Sequence, residues 1–350
     1  MKGKPTATVM ATVADTMCTP EFIERLHSAG MTGVRINSAH ASPEAIEAMV
    51  GVIRSVDPSI SILMDTKGAE IRTTATLDYE EIALAEGDEM RITEHATAVT
   101  TGSVIAITAS GICDKVVAGT HILLDDGEVE LEATGNDGNE LTCQVVKAGR
   151  LGARKTVSFQ GVESPEALPA LTERDRAAIR AGIRAGIDIV AHSFVRSAAD
   201  VEAVREELAG TDIKLFSKIE CRRAIENFDE ILSASDGLLC ARGDLGAEVG
   251  IMYVPAVEMH TIAECRAASK PVIVATQFLQ SMMDSPVPTR AEAADIAWAV
   301  MQGADTLLLC GETARGKYPE ECVKWMKSVI DTTALYREGG WQSVVATFDR

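Results

Sequence analysis

The chain is poor in aromatic and basic side chains. Phe, Trp and Tyr make up 4% of its 350 residues, and 33 Lys and Arg stand against 52 Asp and Glu, which gives a net charge of −19. Nucleic-acid binding needs clustered cations for the phosphates and aromatic rings for the bases, so the composition argues against that function. An anionic ligand would have to be held by a local basic site.

The sequence also lacks a membrane span and a cysteine motif. No run approaches the roughly 20 apolar residues that cross a bilayer, and the start MKGKPTATVMATVADT is too polar for a secretory signal. None of the eight cysteines belongs to a CxxC pair, which favours neither zinc nor disulfides. We therefore expect a cytoplasmic protein without a membrane partner, whose cysteines act mostly as small core residues.

What the sequence does contain is a repeated alternation of short apolar runs and helical patterns. Near-continuous apolar strands, each followed by a helix, indicate a parallel sheet. The eight predicted strands are residues 6–13, 33–39, 59–66, 187–194, 213–220, 237–244, 271–277 and 305–312. Eight such units predict the α/β class and a closed (β/α)8 TIM barrel.

The alternation breaks between the third and fourth predicted strands. Residues 69–165 have the pattern of short β-strands, and Asp126-Gly127 and Asp137-Gly138 are hairpin dipeptides. We predict a barrel from residues 1–68 and 166–350, with a small all-β domain inserted after strand three. An insertion at the catalytic end of a barrel suggests a lid, and an insertion without function is the alternative.

Polar side chains stand at the carboxyl ends of strands two to eight, where barrel enzymes place their chemistry. They are Arg35 and Asn37; Asp65, Lys67 and Arg72; Ser193 and Arg196; Lys218 and Glu220; Arg242 and Asp244; Thr276 and Gln277; and Glu312 and Thr313. Glu220 and Asp244 end neighbouring strands, and Mg²⁺ is typically held by one or two carboxylates plus waters and substrate oxygens. Lys218 shares a strand face with Glu220, where it would neutralise charge on a phosphoryl group or an enolate.

Structural roles are the alternative for these residues. Glu220 and Asp244 would then form ion pairs with nearby cations. A single histidine such as His40 is more often a structural donor than a phosphate ligand. The segment GRLGARKT (149–156) resembles a phosphate-binding loop, but Ala153-Arg154 stands where Gly should precede the Lys and no helical pattern follows. Only Lys155 of this segment remains a candidate for nucleotide contact.

Four segments closely resemble the pyruvate kinase family. They are SKIE…NFDEILSASDGLLCARGDLGAEV, the run from KPVIVATQ to CGETARGKYP, MDTKGAEIRT and LPALTERD. The resemblance covers essentially the whole chain. It implies phosphoryl transfer between phosphoenolpyruvate and ADP, which gives pyruvate and ATP in glycolysis.

The resemblance also implies roles for individual residues. Glu220 and Asp244 would hold Mg²⁺ or Mn²⁺, Lys218 would support phosphoryl transfer, and Thr276 would lie near the carbon where the enolate is protonated. The substrate carboxylate would be held by the Thr276 hydroxyl and by the backbone of Ala241, Arg242 and Gly243, with Ser193 as a further substrate candidate. Phosphates and nucleotide would meet Arg35, Arg72, Asn37, His40 and Lys155. A K⁺ site would include Asn37, Asp65 and Thr66, with Glu70 nearby.

The chain departs from the family pattern at several places. Ala39 replaces a serine that ligates K⁺, and Cys310 replaces a serine of the proton relay with a weaker hydrogen-bonding group. TVAD (12–15) and TVSFQG (156–161) stand where the family usually has TIGP and GVNLPG. The resemblance also implies a short form without the usual C-terminal domain that carries effector sites, and a homo-oligomer that assembles through the barrel.

Two other functions stay open at this point. The first is a Mg²⁺-dependent lyase or aldolase acting on pyruvate or another 2-keto acid, because such barrels stabilise the same enolate. The second is a catalytically silent binding protein. The presence of Lys218, Glu220, Arg72 and Thr276 favours the kinase over both.

Overall fold

Eight short parallel strands close into a barrel, as the sequence predicts. The computed structural model of the protein describes residues 7–68, 70–125, 127–138, 140–162 and 168–348. The barrel strands are β1 Thr8–Thr12, β2 Met31–Asn37, β3 Ser61–Asp65, β4 Ile189–His192, β5 Lys214–Ile219, β6 Gly237–Ala241, β7 Val272–Ala275 and β8 Thr306–Leu309. Each strand pairs in parallel with two neighbours, and β1 closes the ring by pairing with β8.

Each predicted strand overlaps one of these, but two predicted carboxyl ends are wrong. Strand β6 ends at Ala241, so Arg242 and Asp244 lie in the first turn of the helix that follows. Strand β8 ends at Leu309, and Glu312 lies in a short helix. Apolarity does not mark these ends, because the strand and the turn that follows it are both covered by neighbouring elements.

Helices follow the barrel strands and cover the outside of the barrel. They are α1 Pro20–Ser28, α2 Pro43–Val56, α3 Glu173–Ala185, α4 Ala198–Glu207, α5 Arg222–Glu226, α6 Phe228–Ala234, α7 Arg242–Val249, α8 Val254–Ala267, α9 Arg290–Gln302, α10 Gly311–Ala314 and α11 Pro319–Val345. Serine or threonine side chains cap five of them, which satisfies amide groups that have no partner within the helix. Gly186 and Gly303 end α3 and α9 in the left-handed conformation that glycine favours.

The barrel strands bury both of their faces. Side chains alternate along a strand, so every second residue points at the barrel axis and the others point at the helices. The outer layer contains residues such as Val9, Ile62 and Leu215. The inner layer is a separate apolar cluster of Met10, Leu63, Ala191, Phe216, Leu239, Ala241, Ile273, Ala275 and Leu308.

The segment between β3 and α3 forms β-structure with its own apolar core. A six-stranded sheet contains Val157–Phe159, His121–Leu124, Val129–Asn136, Glu140–Lys147, Glu89–Thr93 and Val104–Ala106, in that order, and a second sheet pairs Gly149–Leu151 with Ile82–Leu84. The Asp137-Gly138 turn joins two antiparallel strands of the larger sheet. Asp126 of the other predicted hairpin lies outside the described residues, as do the predicted boundaries at residues 69 and 165–166.

Two chain segments, 70–73 and 155–157, connect this β-structure to the barrel, and we call them the neck. The amide of Thr73 donates to the carbonyl of Lys155 at 2.8 Å, and the amide of Val157 donates to the carbonyl of Ile71 at 2.9 Å. The outgoing and returning chains therefore support each other as an antiparallel pair.

All eight cysteines are free thiols, and six of them are buried, which confirms their role as small core residues. In the part of the chain that the structure describes, no helix has the length and apolarity that crossing a bilayer would require.

The Glu94 carboxylate stabilises the inserted β-structure through hydrogen bonds to backbone amides. Its carboxylate accepts hydrogen bonds from the amides of Gly111, Ile112 and Cys113 at 2.6–2.7 Å. Burial raises the pKa of Glu94, but these backbone amides outweigh it and leave the pKa below its usual value. The stability that Glu94 contributes is therefore present above its unfolded pKa of about 4.3 and is lost as the pH falls through the lower folded pKa.

We expect Glu94→Gln to destabilise the protein by about 1–2 kcal/mol at pH 7, because hydrogen bonds to a charged group are lost at a partly exposed site. The difference from wild type should shrink below about pH 4, where the wild-type carboxyl also becomes neutral. Urea unfolding across this pH range measures it. Glu89→Gln on an exposed position of the same sheet is the control, and equal effects of the two substitutions would contradict the assignment.

Candidate active site

A cleft of about 970 Å³ lies between the carboxyl ends of the barrel strands and the inserted β-structure. Among the lining residues that the structure describes, seven are cations and three are carboxylates, in a protein whose net charge is −19. The cations are Arg35, Lys67, Arg72, Arg154, Lys155, Arg174 and Arg315. This is the local basic site that an anionic ligand of such an acidic protein requires.

Lys218 lies beneath this cleft in a cage of oxygen atoms. Its Nζ donates to Ser193 Oγ at 2.8 Å and forms ion pairs with Glu220 Oε2 at 3.0 Å and Asp65 Oδ2 at 3.6 Å. Burial by itself lowers the pKa of Lys218, but the Glu220, Asp65 and Asp244 carboxylates raise it above its ordinary value. Lys218 is therefore a fixed positive charge at neutral pH.

Arg35 and Asp65 form a second buried pair beside Lys218. Arg35 donates through Nη2 and Nε to Asp65 Oδ2, at 2.5 and 3.1 Å, and its Nη1 reaches Thr12 Oγ1 at 3.2 Å. Asp65 Oδ1 is buried and has no donor among the described residues. One oxygen of Asp65 thus balances two cations, and the other is available to a bound ion.

Glu220 has the surroundings of a metal ligand. Its side chain is fully buried, Oε1 accepts from the amide of Phe194 at 2.8 Å, and Oε2 has no well-aligned hydrogen bond to any described residue. Burial and the nearby Asp244 carboxylate raise the pKa of Glu220 in spite of Lys218. Two adjacent carboxylates suit a hard divalent cation, which would remove the repulsion between them.

Protein ligands do not enclose such a cation. Within the described ranges, no three His, Cys, Asp or Glu side chains are clustered as a complete metal cage. Mg²⁺ usually keeps several waters and is bound through one or two carboxylates together with substrate oxygens. The Glu220 and Asp244 pair therefore fits a cation whose coordination the substrate completes.

Glu248 is a member of the site that the sequence analysis missed. It lies one turn after Asp244 on α7, and with Glu70 and Asp244 it lines a narrow gap between the barrel and the inserted β-structure. Burial, together with the Asp244 and Glu220 charges, raises the pKa of Glu248 to about 8. The i, i+4 spacing from Asp244 is a helical signal, but the predicted strand extends to residue 244, so the sequence does not predict a helix that pairs Asp244 with Glu248.

Thr276 and Gln277 follow β7 in strained backbone conformations. Their φ angles are 83° and 56°, and Phe194 after β4 has a φ of 53°. Left-handed backbone is uncommon outside glycine and costs about 1–3 kcal/mol, and it concentrates at functional sites. Three such residues at one barrel mouth indicate that the backbone there is shaped for binding.

The Arg242 side chain holds this strained turn from behind. Its guanidinium donates to the carbonyl of Thr276 at 2.6 Å, pairs with Glu258 and Asp295, and lies 4.0 Å from the centre of the Phe278 ring. Only the backbone at Ala241, Arg242 and Gly243 is thus left to meet a substrate, as the resemblance implies. The first turn of α7 fits this role, because no side chain of the described residues caps it.

The remaining predicted residues lie around the cleft, and some of them already have hydrogen-bond or ion-pair partners. Asn37, the exposed His40 and Lys155 all line it, but Lys155 Nζ is paired with Asp125 Oδ2 at 2.8 Å. The His40 ring is partly removed from water, which lowers its pKa, and the nearby Arg72 cation lowers the pKa further. The Thr66 hydroxyl is occupied by His192 Nδ1 and by the amide of Ser193.

Arg72 is fixed at the neck. It donates to Glu70 Oε2 at 2.5 Å and to the carbonyl of Arg154 at 2.7 Å. The same side chain therefore lines the cleft and ties the outgoing segment of the neck to Arg154, the residue just before the returning segment.

A TIM barrel whose mouth joins buried carboxylates, a fixed lysine and a basic cleft defines an enzyme that binds an anionic substrate with a divalent metal. The family model described as "Pyruvate kinase, barrel domain" matches residues 4–323. The chain belongs to the pyruvate kinase family. Membership implies a divalent metal cofactor, in agreement with the Glu220 and Asp244 pair.

Curated pyruvate kinases are similar to most of this chain. The protein of Borreliella burgdorferi is 36% identical over 333 residues, which are 94% of this chain and 69% of that protein. That of Lactobacillus delbrueckii subsp. bulgaricus is 41% identical over 320 residues, 88% of this chain and 54% of its own length. That of Staphylococcus aureus strain MRSA252 is 40% identical over 329 residues, which are 92% of this chain and 56% of that protein. The chain thus spans between about half and two thirds of the length of these relatives.

Gly243 tests the packing between α7 and Thr276. A Cβ at Gly243 would lie 2.9 Å from Thr276 Cγ2, whereas one at Gly246 of the same helix would meet its nearest atom at 3.5 Å. We expect Gly243→Ala to displace the strained turn and to weaken Mg²⁺-dependent oxalate binding about tenfold or more, measured by calorimetry. Gly246→Ala should leave the affinity unchanged, and equal affinities for the two variants would contradict this role.

Proposed function

We propose that the protein transfers the phosphoryl group of phosphoenolpyruvate to ADP and forms pyruvate and ATP. The observation that carries this proposal is the position of Lys218, with Glu220 and Asp65 against it, beneath a strongly basic cleft. Phosphoryl transfer needs fixed positive charge and precise positioning more than covalent chemistry. This site provides both.

We infer that Glu220 and Asp244 hold Mg²⁺ or Mn²⁺. When bound, the cation would offset negative charge on the phosphoryl oxygens and on the enolate oxygen. The protein itself contributes the fixed orientation of the Glu220 carboxylate, which the Phe194 amide and Lys218 hold from two sides.

Lys218 acts in this proposal as an electrostatic group and not as a base. Its carboxylate neighbours keep it protonated, and Ser193 fixes its direction. A preorganised ammonium group stabilises charge as it develops and needs no reorganisation at the moment of reaction.

The α7 side of the mouth would hold the substrate carboxylate. Amide groups at Ala241–Gly243 and the Thr276 hydroxyl are suited to an anion at a helix amino terminus. Thr276 then stands beside the carbon of the enolate that receives a proton. The phosphates and the nucleotide would lie on the opposite side, against Arg35, Arg72, Asn37, His40 and Lys155. Binding there would require Lys155 to leave Asp125.

We further propose a K⁺ site at Asp65, Asn37 and the carbonyl of Thr66. Asp65 Oδ1 is a buried acceptor that lacks a donor among the described residues, which is the main support for this site. Asn37 Oδ1 already accepts from the amide of Ala39 at 3.0 Å, and an amide oxygen retains a second lone pair. Ala39 itself offers no side-chain oxygen, so we expect weak K⁺ binding.

We also propose a cytoplasmic homo-oligomer that assembles through the barrel. The turn Ile251–Tyr253 after α7 has three large apolar side chains that are 77, 73 and 57% exposed, and Trp298 on α9 is 52% exposed. Apolar side chains clustered on a surface are typical of an interface. Sedimentation equilibrium tests the assembly, and Met252→Glu should shift it towards the monomer.

The first functional experiment compares wild type with Lys218→Met. We expect Mg²⁺-dependent formation of pyruvate from phosphoenolpyruvate and ADP, and a loss of about 10²–10³-fold in kcat for the variant. Lys324→Met on the exposed face of α11 is the matched control and should retain full turnover. Mg²⁺-dependent oxalate binding by Lys218→Met would show that the variant still has a folded site.

Two results would overturn the kinase proposal. One is turnover that survives Lys218→Met. The other is a wild-type protein that binds oxalate with Mg²⁺ but forms no ATP, which would favour enolate chemistry without a nucleotide.

Ala39 tests the K⁺ site. We expect Ala39→Ser to add a hydroxyl ligand and to lower the K⁺ concentration for half-maximal activation about three- to tenfold, since one added contact to a cation contributes about 1 kcal/mol. A K⁺-dependent rise in melting temperature, measured without substrates, provides a second readout. Ala39→Val adds bulk without a hydroxyl and is the control. No dependence on K⁺ in either variant would exclude this site.

A further inference from the structure

A second cavity lies at the opposite, amino-terminal end of the barrel. It has a volume of about 510 Å³, within the range of roughly 300–1,000 Å³ that small-molecule sites occupy. Thr8, Ser61, Ile189, Lys214 and Thr306 line it, and each is the first residue of its strand. The cavity is therefore built into the start of the barrel and is separate from the catalytic mouth.

The cavity exists because small residues occupy the first inward-facing layer. Thr8, Ser61 and Thr306 stand two positions before Met10, Leu63 and Leu308 of the middle layer, and they are smaller than the large branched residues that usually fill a barrel. Gly33 lies against the middle layer, since a Cβ there would meet Met10 Cε at 2.8 Å. The middle layer therefore lacks side chains of similar size on its amino-terminal side, and the cavity occupies that space.

The lining combines an apolar floor with a polar rim. Met10, Phe216 and Ile273 form the floor, and they belong to the inner apolar cluster of the barrel. The rim carries hydroxyl groups, of which those of Thr8 and Thr306 are 2.9 Å apart.

Two charged residues line the cavity within the described part of the chain, Asp236 and Lys214, and Asp236 is neutralised. Asp236 Oδ2 accepts from the amide of Leu215 at 2.8 Å and faces Arg205 at 3.4 Å. The Lys214 side chain is exposed and forms neither an ion pair nor a hydrogen bond with any residue in the described ranges. Lys214 therefore presents a positive charge at the edge of an apolar pocket that no described residue compensates.

We propose that this cavity binds a small amphipathic anion, with its apolar body on Phe216, Met10 and Ile273 and its carboxylate or sulfonate at Lys214. Charge complementarity selects the anion, and the buried floor selects the apolar body. The middle layer of the barrel separates this ligand from the catalytic mouth, so the site does not depend on the phosphoryl-transfer reaction proposed above.

A pair of matched fluorescent probes tests the proposal on the full chain. The anion is 1-anilinonaphthalene-8-sulfonate, and N-phenyl-1-naphthylamine is the same aromatic body without the sulfonate. We expect Lys214→Met to weaken the sulfonate about five- to tenfold and to leave the neutral probe unchanged, since one charge-assisted contact is lost. Lys324→Met is the control for removal of an exposed lysine.

A substitution that fills the cavity shows whether the probes bind inside it. Thr306→Leu should weaken both probes, whereas saturating phosphoenolpyruvate with Mg²⁺ should displace neither, and decanoate should compete with the sulfonate. Equal binding by wild type and Thr306→Leu, or displacement by phosphoenolpyruvate, would overturn the proposal, because the probes would then lie elsewhere. If Thr306→Leu does not fold, the comparison of the two probes on Lys214→Met decides alone, and equal losses for both would reject the site.

Discussion

Charges buried at the mouth of an apolar barrel must be balanced within a few ångströms, and this requirement organises the whole site. Removing a charge from water is costly unless an opposite charge and hydrogen bonds replace the solvent. Here Arg35, Asp65, Lys218 and Glu220 alternate in sign, so each cation touches a carboxylate. At the start of α7, burial together with the Asp244 and Glu220 charges raises the pKa of Glu248. A divalent metal would relieve this repulsion between carboxylates, so this part of the mouth suits one.

The strands can carry these charges because their other inward positions are apolar. On β5, Lys214, Phe216 and Lys218 share one face, so one strand contributes to the lower cavity, the middle layer and the mouth. The middle layer is what keeps the two ends of the barrel apart. Without Phe216 and its neighbours, the buried ion pairs would meet water from below, and their fixed geometry would be lost.

Much of this arrangement follows from the sequence. Apolar runs and helical patterns predict the eight strands and most helices, because burial of one face sets the spacing of apolar residues along the chain. The polar residues at the predicted strand ends identify Lys218, Glu220 and Asp65. Three features did not follow. The end of β6 is invisible to an apolarity pattern, so Asp244 and Glu248 were not recognised as helical neighbours. The occupation of the Thr66 hydroxyl by His192 depends on contacts between distant segments. The lower cavity depends on side-chain size at strand starts, which periodicity does not report.

The period of two along β5 has a consequence for how this protein can change. A single residue inserted or deleted between Lys214 and Lys218 would place these two side chains on opposite faces of the strand, so β5 could no longer supply both ends of the barrel interior. Single substitutions, by contrast, alter one layer and leave the others in place. The fold should therefore tolerate substitutions at the lower rim and changes of length in loops. It should not tolerate changes of length inside the barrel strands.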